Sequence, residues 1–433
     1  MESILLLEPS STQKRQAMAQ MLRDPQTAAE GDGEEITKRL RSLRTAAVEA
    51  RNDLLGELQS AAKEQTSRRW FFAADAASAA GIIRQICPDT AAVAVNKSAV
   101  VTAEVVPFLH AAGLTIVAPY YDGLAEVEAR FTQAWQVPEV PLAASRNAFH
   151  STDDLPARRR QSLRERGARN LAAVIGVNAL AAADGSAVLL QHRANIRQML
   201  TECRRIILVA GIDKIVPTPA DAVFQASCMA WFGTAALALD LGRKANPAPA
   251  LDNYPFTIGP GDVSEKITVI LLDNGRSDIA TGAYGALLQC IGCRACAASC
   301  PAGEYFGAPR PSPRELLFTD LQNTVAPLMH CIQCESCRSA CPLSLDLPGM
   351  ILDRRHRRAR SFPALSDRLL ANAEIVERLG SRLAPLANLF LQNRLVKKIS
   401  EAAGGIDSRR TLPFFAAKPF ADIYRDFLTR SEQ

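Results

Sequence analysis

Residues 290–300 read CIGCRACAASC and residues 331–341 read CIQCESCRSAC, each followed at once by proline, so eight of the 11 cysteines fall in two runs of one spacing. The spacing is C-x2-C-x2-C-x3-C-P, in which three thiolates come from one tight loop and the fourth cysteine ligates the other of two clusters. On that rule Cys290, Cys293, Cys296 and Cys341 hold one [4Fe-4S] cluster, and Cys331, Cys334, Cys337 and Cys300 hold the second. The rival is a pair of structural zinc sites, which two C-x2-C pairs would satisfy. A third cysteine at the same interval and a fourth before proline, both repeated, favour iron–sulfur. A disulfide framework fits less well, because Cys87, Cys203 and Cys228 stand alone in apolar surroundings and read as inert buried thiols. His330, Arg294 and Arg338 lie beside ligands, where they either tune the clusters or are plain solvated side chains.

Outward from these runs, the chain has 433 residues, 48% of them apolar and 22% charged, with a net charge of +5. That is an ordinary globular composition with room for two or three domains, and the weak, intermixed charge does not indicate a nucleic-acid binder. The N-terminal MESILLLEP has an acidic residue and too short an apolar run for a secretory leader. The most apolar window, Ala226 to Gly242, is interrupted by Asp240 and too short to cross a bilayer. The expectation is a cytoplasmic protein whose thiols stay reduced.

Four segments follow from the pattern. Residues 1–66 read as helical, with Ile36, Leu40, Leu43, Ala47, Leu54 and Leu58 at three- and four-residue intervals, a break expected at QTAAEGDGEE, and little functional content. Residues 67–281 alternate strand-like runs (AAVAVN, LTIVAP, LAAVIGVN, SAVLLQ, RRIILVAG, KITVILLDN) with helices such as PADAVFQASCMAWFGTAALAL, which implies an α/β domain with a largely parallel sheet. Residues 282–350 form the dicluster module. Residues 351–433 form a helical basic tail that opens with DRRHRRAR. That run and PARRRQSLRERGAR before residue 170 are solvated helix faces or docking sites for an acidic partner or an anionic membrane surface.

LAAVIGVNALAAADGSAVLL, RRIILVAGIDKIVPTPADA, VILLDNGRSDI, the two cysteine loops and the ending GIDSRRTLPFFAAKPF, in that order, resemble the lactate utilisation protein B family. The resemblance implies a lactate-utilisation domain of the CoA-transferase-like α/β type joined to a dicluster ferredoxin-like module. It also implies work beside a cysteine-rich partner subunit and a second lactate-utilisation subunit in oxidising L-lactate. Lys97, Ser98, Asn178, Gly185, Ser186, Lys214 to Thr218 and Asp273 to Asp278 match the family pattern. Ala183 with Asp184, Arg193 to Asn195, and Ala118 to Asp122 depart from it. Read from the residues alone, GIDKIVPT is a strand end and proline-fixed turn with Lys214 available to an anionic group, and NGRSD is a turn that packs the cluster module onto the α/β domain.

No G-x-G-x-x-G follows a strand and no Walker A motif is present, so independent catalysis is not indicated. The expected function is an iron–sulfur electron-transfer subunit of an oxidoreductase complex of the lactate-utilisation type, possessing two [4Fe-4S] clusters and associating with other subunits or, peripherally, with the inner membrane face. The alternative is a docking or ligand-binding module that recruits a dicluster ferredoxin to an unrelated dehydrogenase or reductase.

Overall fold

The computed structural model describes residues 30–65, 68–89, 92–117, 171–191, 195–233, 254–260, 267–302, 311–322, 328–361, 371–404 and 407–431. Its contacts divide the chain into two units, Met1–Met350 and Ile351–Gln433.

The first unit is built on ten strands among the described residues. In chain order they are β1 (Arg69–Ala73), β2 (Ala92–Val95), β3 (Thr115–Val117), β4 (Ala172–Gly176), β5 (Ala179–Ala181), β6 (Ala187–Gln191), β7 (Arg205–Gly211), β8 (Ile215–Val216), β9 (Tyr254–Ile258) and β10 (Ile267–Leu272). Six of them form a sheet in the order β1-β10-β7-β4-β2-β3, every pair parallel. All six residues of β10 are buried, as its unbroken ITVILL requires of a strand covered on both faces. Successive side chains alternate between two cores. Ala173, Ile175, Ile206, Leu208, Val269 and Leu271 face one, and Ala172, Val174, Ile207, Val209, Ile270 and Leu272 face the other.

The α/β expectation therefore holds, with one addition. A second, mixed sheet runs β8-β5-β6-β9, because β5 and β6 pair antiparallel around a tight turn. There the Asp184 carboxylate accepts from the Ser186 N–H (2.9 Å) and hydroxyl (2.7 Å), and Gly185 takes φ +68°, a conformation cheap only for glycine.

The N-terminal periodicity becomes helices α1 (Glu30–Glu49) and α2 (Arg51–Glu64), which bury Leu40 and pack Ala47, Leu54 and Leu58 into the sheet core. They meet at Ala50; the break expected at QTAAEGDGEE lies partly outside the described residues, and α1 begins at Glu30 within that stretch. Then come α3 (Ala76–Ile86), a π-helical turn (Val100–Val105) leading into α4 (Val106–Ala111), α5 (Asn195–Glu202) and α6 (Pro219–Phe232). Helix α6 is capped by Thr218, whose hydroxyl accepts from the Asp221 N–H. The cysteine loops sit among α7 (Arg276–Thr281), α8 (Ala295–Ala298), α9 (Pro313–Leu321), α10 (Ser336–Ser339) and the start of α11 (Leu347–Ser361).

The second unit is helical, as the tail predicts: α12 (Ala373–Arg382), α13 (Ala384–Gln392), α14 (Arg394–Gly404) and α15 (Phe420–Ser431). Asn388 holds the segment before α15 by exchanging two hydrogen bonds with the Phe415 backbone (2.8 and 3.0 Å). The Phe415 ring fills the space a side chain at Gly380 would need. No helix among the described residues is long and apolar enough to cross a membrane.

Candidate metal centre

The two cysteine runs fold into matching loops. Gly292 and Arg294 in the first, and Gln333 and Glu335 in the second, occupy the same offsets from the leading cysteine, and all four take positive φ (81°, 62°, 57° and 59°). Three of the four are not glycine, so the left-handed turns carry strain that the surrounding structure must over-determine. The effect is to curl each C-x2-C-x2-C stretch back on itself before a one-turn helix, α8 or α10, that bears the third cysteine, Cys296 or Cys337. Sulfur atoms inside the curl meet donors: Gly292 N–H reaches Cys290 Sγ and Gln333 Nε2 reaches Cys331 Sγ, both at 3.3 Å. The Ser299 hydroxyl donates to the Ser336 carbonyl (3.2 Å) and ties one loop to the other.

Electrostatics link the loops crosswise. Burial pushes the Cys293 thiol up to about 12, with the charges of Cys290 and, from the other loop, Cys341 adding to the rise. Cys341 is itself raised, first by burial and then by Cys290, while amides of Leu345, Leu343 and Ser344 oppose. Cys337 rises to about 11 through burial, Cys331 and then Cys300 of the first loop. Cys296 lies well above the ordinary value because of burial and its neighbours Cys290 and Cys293. Only at exposed Cys334 does the shift run downward, through hydrogen bonding with Ser336.

Buried thiols that repel one another's ionisation need a positive core to become thiolates, which is what metal binding supplies. Among the described residues, no three His, Cys, Asp or Glu groups are drawn tightly round one point. The fit to iron–sulfur therefore rests on the donor set and the backbone: two runs of four cysteines, donors aimed at sulfur, and left-handed turns at matching offsets in both loops.

Behind the first loop lies a buried charged cluster that the sequence does not announce. Arg44, on the apolar face of α1, is fully buried and donates to the carbonyls of Leu288 (2.7 Å), Gln289 (2.9 Å) and Asp213 (2.6 Å) and to Gln225 Oε1 (2.9 Å). Lys214 donates to the Cys290 carbonyl (2.7 Å) and pairs with Asp213 (2.8 Å). Arg276 pairs with Asp213 and, through two nitrogens, with Glu104 (2.9 and 2.8 Å). Arg314 approaches Asp213 at 3.7 Å, and both Arg314 and Arg276 lie over the Phe318 ring, at 4.2 and 4.7 Å.

Burial alone would raise the Asp213 carboxyl. The charges of Lys214, Arg276 and Arg314 outweigh it and hold the group far below the ordinary carboxylate range. Burial lowers both Arg44 and Lys214, opposed by Asp213 and by Cys290.

A LUD domain description matches residues 35–229, and a 4Fe-4S dicluster domain matches residues 286–345. The chain joins a LUD domain to a 4Fe-4S dicluster domain. It is 30% identical over 155 residues to lactate utilization protein B 1 of Bacillus mycoides, a stretch that is 34% of this chain and 30% of that protein. Lactate utilization protein B of Macrococcus caseolyticus is 30% identical over 36% of this chain and 32% of its own. The uncharacterized electron transport protein YkgF of Escherichia coli is 28% identical over 34% and 30%. The chain thus spans about three tenths of the length of these curated relatives. No solved structure matches.

Within the LUD domain, the family-pattern residues serve mainly as struts. The Asn178 amide oxygen accepts from Leu190 N–H (2.7 Å) and its carbonyl accepts from Gln225 (3.0 Å). Ser186 completes the β5–β6 turn, and Thr218 caps α6. Lys214 is turned toward Asp213 and the dicluster domain. Asn274 (φ 47°) and Gly275 (φ 81°) make the NGRSD turn, and Asn274 donates to Glu104 (2.8 Å) while its own carbonyl accepts from Gln322 (2.8 Å). Arg294 contacts Glu315 at 3.7 Å, and Arg338 contacts Asp346 at 3.7 Å. Ala118 to Asp122, Arg193, Ala194 and the basic run before residue 170 lie outside the described residues.

The N-terminal helices also reach the cysteine loops. Arg41, one turn before Arg44, donates to the Pro342 carbonyl (3.0 Å) and the Ser344 hydroxyl (2.6 Å), so α1 clasps the ends of both cysteine loops. A cation on the apolar stripe of an amphipathic helix was the one available signal.

Proposed function

We propose that this protein is the iron–sulfur electron-transfer component of an oxidoreductase assembly of the lactate-utilisation type, built in four segments, 1–66, 67–281, 282–350 and 351–433. It would carry two [4Fe-4S] clusters: one on Cys290, Cys293, Cys296 and Cys341, the other on Cys331, Cys334, Cys337 and Cys300. What supports this reading is that the fourth cysteine of each run comes near cysteines of the other loop. Cys341 lies within electrostatic reach of Cys290 and Cys293, and Cys300 within that of Cys337. When bound, the clusters supply reversible one-electron chemistry. The chain's own part is to bury Cys296 and Cys337 and to aim amides at sulfur. It leaves Cys334 at the surface, where an electron can be exchanged with a partner.

Partners in this reading are a cysteine-rich subunit and a second lactate-utilisation subunit, in the cytoplasm. The second unit suits docking. Residues 351–433 carry a net charge of +7, against −2 for the rest of the chain, and Leu383, Leu386, Leu389, Phe390, Leu395 and Ile399 are exposed there. An acidic partner or an anionic inner-membrane face would bind such a surface, with an affinity that falls as salt is raised.

The second reading, a docking module for an unrelated dehydrogenase, draws support from Lys214, which is committed to Asp213 and Cys290 rather than to a ligand. Anaerobically purified protein should contain about eight iron and eight acid-labile sulfide atoms per chain, as expected for two cubanes; zinc with neither would remove the proposal. Reduction by L-lactate in the reconstituted assembly separates the two readings. Failure with all subunits present favours the second.

A further inference from the structure

The cluster of charges behind the first loop is unbalanced. Arg44, Lys214, Arg276 and Arg314 supply four cations against the two anions Glu104 and Asp213. Arg44, Arg276 and Asp213 are almost completely buried and Lys214 nearly so. Excess charge inside protein is costly unless something nearby balances it. The two anions do not suffice, and the excess cations converge on one place: Arg44 and Lys214 hold the three consecutive carbonyls of Leu288, Gln289 and Cys290. In the described contacts the second loop is met by one cation only at its end, where Arg41 donates to the Pro342 carbonyl and the Ser344 hydroxyl. Its Cys334 is exposed, its Arg338 faces Asp346 at the surface, and Glu335 occupies the position that Arg294 occupies in the first loop.

We infer that Arg44 and Lys214 are positioning residues whose fixed charges balance the centre held by the Cys290 loop and raise its reduction potential above that of the Cys331 loop. The inference rests on the iron–sulfur reading above. A centre with four thiolates bears net negative charge that grows by one on reduction, so a fixed cation nearby favours the reduced form, while burial without a cation favours the oxidised one. The electron entering the protein therefore settles on the LUD side, behind the shielded loop, and the exposed Cys334 side is the point of exchange.

The test is a potential, read on the full chain with its clusters in place. Arg44→Gln and Lys214→Gln are each purified anaerobically, assayed for iron, and titrated electrochemically under EPR. The Cys334→Ser variant identifies which signal belongs to the second centre. Each charge removal should shift the first centre's reduction equilibrium about tenfold toward the oxidised form, or about 59 mV for one electron, and leave the second centre unmoved. Lys214→Arg should restore the original value.

If Arg44→Gln loses iron, Lys214→Gln carries the test, because Lys214 keeps part of its side chain exposed at 15%. An unchanged first-centre potential at full iron content, or an equal shift of both centres, overturns the inference. Absence of iron from the unaltered protein would instead overturn the proposed function.

Discussion

Replacing Arg276 by methionine tests whether the buried charges hold the LUD and dicluster domains together. The guanidinium is 2% exposed and makes two bonds to Glu104 at 2.9 and 2.8 Å, one to Asp213, and one to the Asp273 carbonyl at 3.0 Å. Methionine keeps the packing against Phe318 but leaves two carboxylates short of a partner. Breaking a buried pair from one side costs roughly 3–5 kcal/mol. The lower end applies here, because Glu104 keeps Asn274 (2.8 Å) and Gln322 (3.3 Å), and Asp213 keeps Lys214 (2.8 Å). A loss of about 3 kcal/mol corresponds to a fall in Tm of roughly 4 °C at neutral pH, for an unfolding entropy of about 2.1 cal/mol/K per residue.

Scanning calorimetry on anaerobic protein measures it, and the double variant with Glu104→Gln sharpens it. With no unpaired charge left at that end, the pair should recover about 1–2 kcal/mol relative to the sum of the single losses. A Tm within about 2 °C of the unaltered protein, or strictly additive losses, would refute the reasoning that these charges act as one buried network.

Two further outcomes follow from the same geometry. Asp213→Asn should remove an acid-sensitive part of the stability. The native carboxyl is held below its ordinary value, so its contribution is complete above the unfolded value of about 3.9 and is lost as pH falls toward the depressed native one. The stability gap between the two proteins, measured by urea titration, should therefore narrow as pH drops below about 4; a gap that widens there contradicts the assignment. Gly233→Ala should lower iron content without unfolding the sheet. A Cβ at that position would lie 2.6 Å from the Met229 carbonyl and 2.7 Å from that of Cys293, so the end of α6 would have to push the first cysteine loop aside. Full iron occupancy in that variant would show the contact to be slack.

The cysteine spacing, the strand–helix alternation and the tail's helical period were readable because each is a local repeat: a ligand interval, a two-residue pleat, a 3.6-residue turn. That is why the two loops, the parallel sheet on RRIILVAG and KITVILLDN, and the buried stripe of Leu40, Ala47, Leu54 and Leu58 were visible in one dimension. The mixed second sheet was missed, since β8 and β9 become strands only by pairing with β5 and β6, and β8 is two residues long. The role of α1 was missed for the same reason. Arg41 and Arg44 look like ordinary helix-surface cations until residues about 245 and 300 positions away bring carbonyls to them.

By itself, the sequence determined which atoms are offered to a metal and in what intervals, because ligand spacing is a covalent property of the chain. Tertiary structure alone decided that four cations gather behind one loop and not the other. Charge balance in a buried place is set by what folding brings near, and Arg44, Lys214, Arg276 and Arg314 come from four separate elements that no linear pattern connects.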